Sequence, residues 1–360
     1  MKIGLIDADL LDNGTRHPNL ALMKISGYMK EQGHETELLF NYDDIRKYDK
    51  VYLSKVFSFT EVPINLEEYD NIEYGGTGFY FDKAPNLPDE IEHHMPDYHL
   101  YDKFVKSKIE QGAKRLAYKD YLDFSIGFTT RGCFRKCSFC VNKKYDRAFK
   151  HSPIEEFYDP NRKYICLWDD NFLAYSGWRE ILDEIEATKK YFQFKQGLDI
   201  RLMTEEKAEK LSKMKYHGNY IFAFDNIKDR DLIEKKLALW RNYCKKSTMV
   251  YVLSGYDSQD AEDIRNVFER IKILMKYKCL PYIMRYESYK NSEYKGMYIN
   301  LARWCNQPHF FTKKSFREFC LMNQKENSTK ECSTIRYMNE FENKHPNIAK
   351  EYYDLKWDMF

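Results

Sequence analysis

The chain is predicted to be α/β: a small parallel-sheet, Rossmann-like domain, then an open partial (β/α)6 barrel of the TIM type, then a mostly helical C-terminal tail. Three observations predict it. Apolar β-type runs alternate with helical patterns, which indicates parallel sheets. Some 43% of the 360 side chains are apolar, enough to bury more than one core. The second part of the chain holds six strand-and-helix units, too few for the usual eight-unit barrel of about 250 residues. The expected segments are residues 1–90 for the first domain, 91–120 for a connector, 121–290 for the partial barrel and 291–360 for the tail.

In the first domain, Lys2 to Asp7 reads as a buried strand. A helix follows, with Pro18 in its first turn, Leu20, Leu22, Met23, Ile25, Tyr28 and Met29 on its apolar face, and Gly33 at a left-handed C-cap. Thr36 to Phe40 and Val51 to Phe57 read as the next strands, with a short helix at Tyr42 to Tyr48 between them, and Asn71 to Tyr74 as a fourth. The run Gly75-Gly76-Thr77-Gly78 reads as a tight turn. From Glu90 to Tyr118 no period is clear, so a connector with some helix is expected.

The barrel strands are expected at Phe124 to Thr129, Lys163 to Asp169, Phe192 to Ile200, Tyr220 to Asp225, Met249 to Ser254 and Pro281 to Tyr286. Between them Trp178, Ile181, Leu182 and Ile185 form a helical face behind a Ser176 cap. Ala208, Leu211 and Met214 follow Thr204; Ile233, Leu237 and Trp240 mark the next helix; Ile264, Val267, Phe268, Ile271 and Met275 follow Ser258.

Composition excludes a disordered or collagen-like chain. No apolar run exceeds five residues, far short of the roughly 20 that a membrane span needs, and the N-terminal text lacks the apolar stretch of a signal peptide. A cytoplasmic location with no membrane partner is therefore expected. Nine cysteines at irregular spacings then read as reduced thiols or metal ligands. The balance of 58 basic and 56 acidic residues is uneven along the chain: residues 1–123 hold 15 Lys and Arg against 23 Asp and Glu, leaving the basic excess to the second part.

Directly after the first barrel strand stands Thr129-Thr130-Arg131-Gly132-Cys133-Phe134-Arg135-Lys136-Cys137-Ser138-Phe139-Cys140. The spacing C-x3-C-x2-C puts three soft thiolates in one short loop, which can wrap an iron–sulfur cluster and leave one iron without a protein ligand. The competing reading is zinc, completed by a distant His such as His151, although zinc sites favour paired C-x2-C units and four ligands. Cys166, Cys244 and Cys279 read as small core residues. Cys305, Cys320 and Cys332 are spread too widely for a compact second loop.

This loop, with an aromatic before its third cysteine, resembles the CxxxCxΦC signature of the radical S-adenosylmethionine (radical SAM) superfamily. The resemblance implies that Cys133, Cys137 and Cys140 hold a 4Fe-4S cluster whose open iron chelates S-adenosylmethionine, and that Phe139 flanks the adenine. It implies an enzyme that cleaves S-adenosylmethionine reductively to a 5′-deoxyadenosyl radical, fed by an external flavodoxin- or ferredoxin-like donor. Asp169-Asp170-Asn171 stands where the family has a motif, commonly GGE, that receives the amino group; the alternative is a capping loop. Gln196, Asp199 and Arg201 are expected at near-alternating positions of the third strand, with Arg201 meeting the S-adenosylmethionine carboxylate and Asp199 a ribose hydroxyl, or the two forming a salt bridge. Asp225-Asn226 and Ser254-Gly255 are weaker candidates at the ends of later strands. A non-catalytic iron–sulfur regulatory protein is the reading from another class.

The N-terminal domain resembles a truncated cobalamin-binding (B12-binding-like) domain. The DxHxxG motif that supplies a cobalt-ligating His is absent, since Asp97-Tyr98-His99 lacks the Gly and lies outside the sheet. Cobalamin, and with it a cobalamin-dependent methyltransferase, is the second functional reading, set against a degenerate domain that only shapes the substrate site. Arg131, Arg135, Lys136, Lys143, Lys144, Arg147 and Lys150 surround the loop against the one acid Asp146. That excess suits an anionic substrate, a nucleic acid or phosphorylated small molecule, or else neutralises the cluster.

Overall fold

The computed structural model describes residues 1–15, 17–325 and 330–360. The chain divides into two compact units, Met1–Lys195 and Gln196–Phe360.

In the first unit, β1 (Lys2–Asp7), β2 (Glu35–Leu38), β3 (Lys50–Ser54) and β4 (Ile72–Gly75) form a parallel sheet in the order β2-β1-β3-β4. The order reverses between β1 and β3, which makes their carboxyl ends a topological switch point. One face is covered by Leu22, Met23 and Ile25 of the helix Leu20–Glu31, by Tyr98, Tyr101 and Val105 of the connector and by Tyr121 just after it. The connector is thus a structural layer, with a helix at Asp102–Glu110. The other face packs Ile6, Ala8, Leu39, Ile45, Tyr48, Val51 and Leu53 together.

The expected strands of this domain form, although β3 stops at Ser54 rather than Phe57 and the expected turn after β4 enters a short helix, Thr77–Tyr80; three further differences stand out. Asp7 accepts from Leu10 N and caps an additional short helix, Ala8–Asn13, that ends at Gly14 (φ 63°). Asn19, rather than Pro18, starts the next helix by accepting from Leu22 N. Between β2 and β3 only a 3-10 turn, Ile45–Lys47, forms.

Also in this unit, β5 (Phe124–Gly127), β8 (Tyr164–Leu167) and β9 (Tyr191–Phe194) make a three-stranded parallel sheet in the order β5-β8-β9. Between β5 and β8, β6 (Thr130–Arg131) pairs antiparallel with β7 (Phe149–Lys150). This closes residues 132–148 into a loop with a tied neck. The helix Trp178–Ala187 buries Trp178, Ile181, Leu182 and Ile185 as its period requires, but Gly177, not Ser176, occupies its N-cap and gives no side-chain bond.

The second unit holds β10 (Tyr220–Ala223), β11 (Thr248–Ser254) and β12 (Leu280–Arg285), parallel and in chain order. Helices Glu205–Lys213, Arg230–Tyr243 and Ala261–Lys276 alternate with them. Thr204 caps the first as expected, accepting from Lys207 N. Asp260 caps the last by accepting from Asp263 N, while Ser258 Oγ donates to Asp260 Oδ1 at 3.0 Å. The tail is helical and packs on this last helix: Phe268 stacks on Tyr352 (5.6 Å between ring centres) and meets Phe316 edge-on (5.3 Å).

Candidate functional site

The cysteine loop leaves the carboxyl end of β5. Its neck is sealed by the β6–β7 pair and by His151 N and Ser152 N donating to Thr129 O (2.9 Å) and Phe128 O (3.2 Å). Gly132, just before the first cysteine, has φ 89°, and a Cβ there would stand 2.2 Å from the Arg147 carbonyl oxygen. Only glycine lets the two arms of the loop approach so closely.

Cys133, Cys137 and Cys140 are half-buried and joined in no disulfide. Backbone N–H groups turn toward sulfur within the loop: Arg135 N lies 3.4 Å from Cys133 Sγ and Asn142 N 3.3 Å from Cys140 Sγ. Asn171 Nδ2 donates to Cys133 Sγ at 3.3 Å. Such donors suit sulfurs that carry negative charge, as metal-bound thiolates do. Among the described residues no three His, Cys, Asp or Glu side chains converge as ligands of one metal ion do.

The segment after β8 locks this loop in place. Asp169 is 4% exposed; its Oδ1 accepts from Thr129 N (2.8 Å) and its Oδ2 from Thr129 Oγ1 (2.5 Å) and Thr130 Oγ1 (3.0 Å). Burial pushes its pKa up to about 6 against the pull of those donors. Asp170 spans the loop, accepting from Gly132 N and from Asn142 Nδ2, both at 2.7 Å. Both carboxylates thus brace the loop around the cysteines. Asn171 differs: it is buried, its amide N–H faces Cys133, and its Oδ1 accepts from no group among the described residues. A buried amide oxygen without a donor is costly and rare, so this atom asks for a ligand donor. Phe139 is half-buried within the same loop.

The remaining expected site residues lie in the second unit, and here the structure corrects the sequence. The strand expected from Phe192 to Ile200 ends at Phe194; Lys195 N makes a last bond to Leu167 O (2.8 Å). Leu198 then bridges to Phe222, and Asp199 Oδ1 accepts from Arg201 N to cap a 3-10 turn, Ile200–Leu202. Gln196 is exposed, and the expected strand alternation of Gln196, Asp199 and Arg201 is absent. Arg201 is clamped between two carboxylates, Nε to Asp199 Oδ1 at 2.7 Å and Nη1 to Asp229 Oδ2 at 2.6 Å. Ser254 is buried, its Oγ 3.3 Å from Met284 O, and the following Gly255 N donates to Asp263 Oδ2 at 2.8 Å. Sequence reasoning missed Arg270, which is buried in the helix Ala261–Lys276 and donates to the carbonyls of Phe224, Asp225 and Leu253 where β10 and β11 end. An Arg amid an apolar helical stripe was the available signal.

At the N-terminal sheet, the switch-point crevice is filled by the protein's own groups. Asp7 Oδ2 accepts from Tyr101 Oη (2.8 Å), Asn19 N donates to the same hydroxyl (3.0 Å), and Asn19 Nδ2 donates to Ser54 Oγ (2.8 Å). The edge above it is open. Nothing lies within 4 Å of a Cβ built on Gly75, and Phe57, Phe59, Tyr74 and Tyr80 are exposed there. Gly76 (φ 107°) and Gly78 are needed for a different reason, since a Cβ on either would strike the Lys55–Phe57 backbone.

Neither a protein-family model nor a curated protein matches the chain. Solved structures do. The radical S-adenosylmethionine methyltransferase TsrM from Kitasatospora setae, with cobalamin and a 4Fe-4S cluster bound, superposes with TM-score 0.52 at 14% identity, covering 79% of this chain and 74% of that one. The same enzyme with its tryptophan substrate and the analogue aza-SAM gives TM-score 0.51 at 14% identity over 78% and 72%. Over the part matched, the fold of this chain is accordingly similar to that of TsrM.

Proposed function

We propose that the chain is a radical SAM enzyme whose cluster is held by Cys133, Cys137 and Cys140, with residues 1–90 as the B12-binding-like domain and 121–290 as the radical SAM barrel. The observation that carries this is the sealed three-cysteine loop at the end of β5, with N–H donors turned toward its sulfurs, in a chain of this fold. Bound there, a 4Fe-4S cluster supplies the electron that splits S-adenosylmethionine into methionine and a 5′-deoxyadenosyl radical. The protein's part is to bind and position. Asp169 and Asp170 fix the loop, Gly132 lets it close, and Asn171 Oδ1 accepts an N–H from the ammonium of S-adenosylmethionine beside Cys133. Phe139 lines the adenine. Arg201, held by Asp199 and Asp229, positions the turn after β9.

A second reading is favoured by the cobalamin in a structural neighbour: methyl transfer through a cobalamin seated on the open edge of the N-terminal sheet. Gly75 leaves room for it, and Phe57 and Tyr74 offer apolar rings. The tryptophan bound by the same neighbour makes amino acids and their derivatives the first substrates to screen. Among the described residues no helix is long and apolar enough to cross a membrane. The test is anaerobic reconstitution with iron and sulfide, then dithionite and S-adenosylmethionine. Methionine and 5′-deoxyadenosine should form, and Cys137→Ala should abolish both; added hydroxocobalamin should be retained through gel filtration if the second reading holds. A chain that binds the cluster without ever consuming S-adenosylmethionine is the regulatory protein instead.

A further inference from the structure

Away from the cysteines, His17 and Lys195 meet on one carboxylate. Asp120 Oδ2 accepts from His17 Nδ1 at 2.6 Å and from Lys195 Nζ at 3.0 Å. Residues this far apart in the chain meet because their backbones are held: Tyr121 Oη donates to Thr15 O (2.9 Å) and His17 O (3.2 Å), and Lys195 N bonds Leu167 O at the end of β9. The titratable groups that meet His17 among the described residues are thus Asp120 and Lys195 at the ring and Tyr121 at the backbone. Asp120 is buried, whereas the His17 side chain is 47% exposed. Burial raises the Asp120 pKa, but the bond from His17 and the charge of Lys195 outweigh it and hold the carboxyl down to about 2. An ionised carboxylate only accepts, so the ring nitrogen that faces it carries a proton. In neutral His17 the lone pair is then on Nε2, which meets no partner among the described residues.

The group lies at the carboxyl end of a parallel sheet. Gln193 Nε2 reaches Cys166 Sγ (3.4 Å), which puts Gln193, and by strand alternation Lys195, on the face where Leu20 packs on Phe124, Ile126 and Cys166. The register row after Gly127, Leu167 and Phe194 is Phe128, Trp168 and Lys195, with Phe128 edge-on to Trp168 at 6.4 Å. Parallel sheets bind their ligands at these strand ends, and here β5 leads directly into the cysteine loop.

We propose that His17 is a catalytic base whose Nε2 takes the proton from a ring N–H or O–H of an aromatic substrate lying against Phe128 and Trp168, with Asp120 and Lys195 as positioning residues. The inference rests on the proposed function, for which it names a substrate class. In the step, the substrate's N–H or O–H bond breaks, its electron pair stays on the substrate, and the proton makes the second N–H bond of an imidazolium. Asp120, 2.6 Å from the ring, balances the charge the ring gains, as the carboxylate of a catalytic triad does. The proton then passes to water, which reaches the half-exposed ring. The anion left behind is more open to attack by an electrophilic carbon than the neutral substrate.

The experiment is fluorine NMR of 2,6-difluorophenol, an aromatic O–H acid of strength comparable to imidazolium, titrated with pH on the reconstituted protein. The fluorine shift reads whether the bound ring is phenol or phenolate. On wild type the bound probe should stay ionised to a proton concentration at least about tenfold higher than the free probe does. His17→Gln should lose that difference, and Asp120→Asn should fall between the two. Equal ionisation on wild type and His17→Gln would leave the three side chains as a structural latch and overturn the proposal. Wild type that does not bind the probe overturns it too, and needs no variant to fold. Failure of wild type to form methionine and 5′-deoxyadenosine sinks the proposed function instead, and is seen whatever the probe does.

Discussion

Asn171 combines two atoms with opposite situations: an N–H that serves Cys133 and a buried oxygen without a donor among the described residues. Asn171→Ala should weaken S-adenosylmethionine binding by about 1.5 to 3 kcal/mol, the range of a hydrogen bond to a charged partner, as read by calorimetry on the reconstituted protein. An unchanged isotherm would return Asn171 to structure. Asp169 makes a claim about pH. Its folded pKa, near 6, lies above the ordinary 3.8, so between about pH 4 and 6 the folded chain binds its proton more tightly than the unfolded one. Its contribution to stability is therefore greatest below pH 4 and is lost as pH rises through 6. His151 opposes it. Burial holds that imidazole down to about 4 from 6.5, so the folded chain prefers it neutral and gains stability from it as pH rises across the same window. Asp169→Asn should remove the first slope and leave the second, so urea midpoints of the variant should rise more steeply from pH 4 to 6.5 than those of wild type. Parallel profiles would show that the carboxyl is not protonated near pH 6. Asp169 was legible in the sequence as a polar residue after a strand, but not as a brace, because its partners Thr129 and Thr130 lie on the neighbouring strand's exit, some 40 residues away.

At the scale of elements, the cysteine loop was readable because its spacing is local, whereas its closure depends on the β6–β7 pair and on Asp170, both tertiary. Gly132→Ala forces a β-carbon against the Arg147 carbonyl at positive φ, a strain on the order of 1 to 3 kcal/mol, and should lower iron bound per chain while far-ultraviolet circular dichroism stays unchanged. Full iron content in that variant would show the loop tolerates opening. The strand β9 was overread because Leu198 and Ile200 continue its apolar pattern, yet the chain bends at Lys195 and Gln196 and Asp199 caps a 3-10 turn. The resulting clamp on Arg201 makes a further prediction. Arg201→Ala strands two carboxylates, one of them buried, and should cost about 1 to 3 kcal/mol of stability while leaving S-adenosylmethionine affinity within twofold. A large loss of affinity with unchanged stability would reverse that assignment.

At the scale of the molecule, alternation of strand and helix made the sheets legible, most plainly where strands such as β1, β5 and β8 are nearly all buried. The placing of the tail was not legible. Its aromatics, Phe316, Tyr352 and Tyr353, carry no period that names their partner, and only the fold brings them to Phe268. The central claim is that one cluster sits on Cys133, Cys137 and Cys140, and metal and sulfide analysis of anaerobically reconstituted wild type beside the triple Cys→Ala variant tests it most directly. About four iron and four sulfide per chain in wild type, almost none in the variant, and an electron paramagnetic resonance signal of the reduced protein that shifts when S-adenosylmethionine is added are the predicted result. Stoichiometric zinc in place of iron, or a cluster retained by the variant, would contradict it.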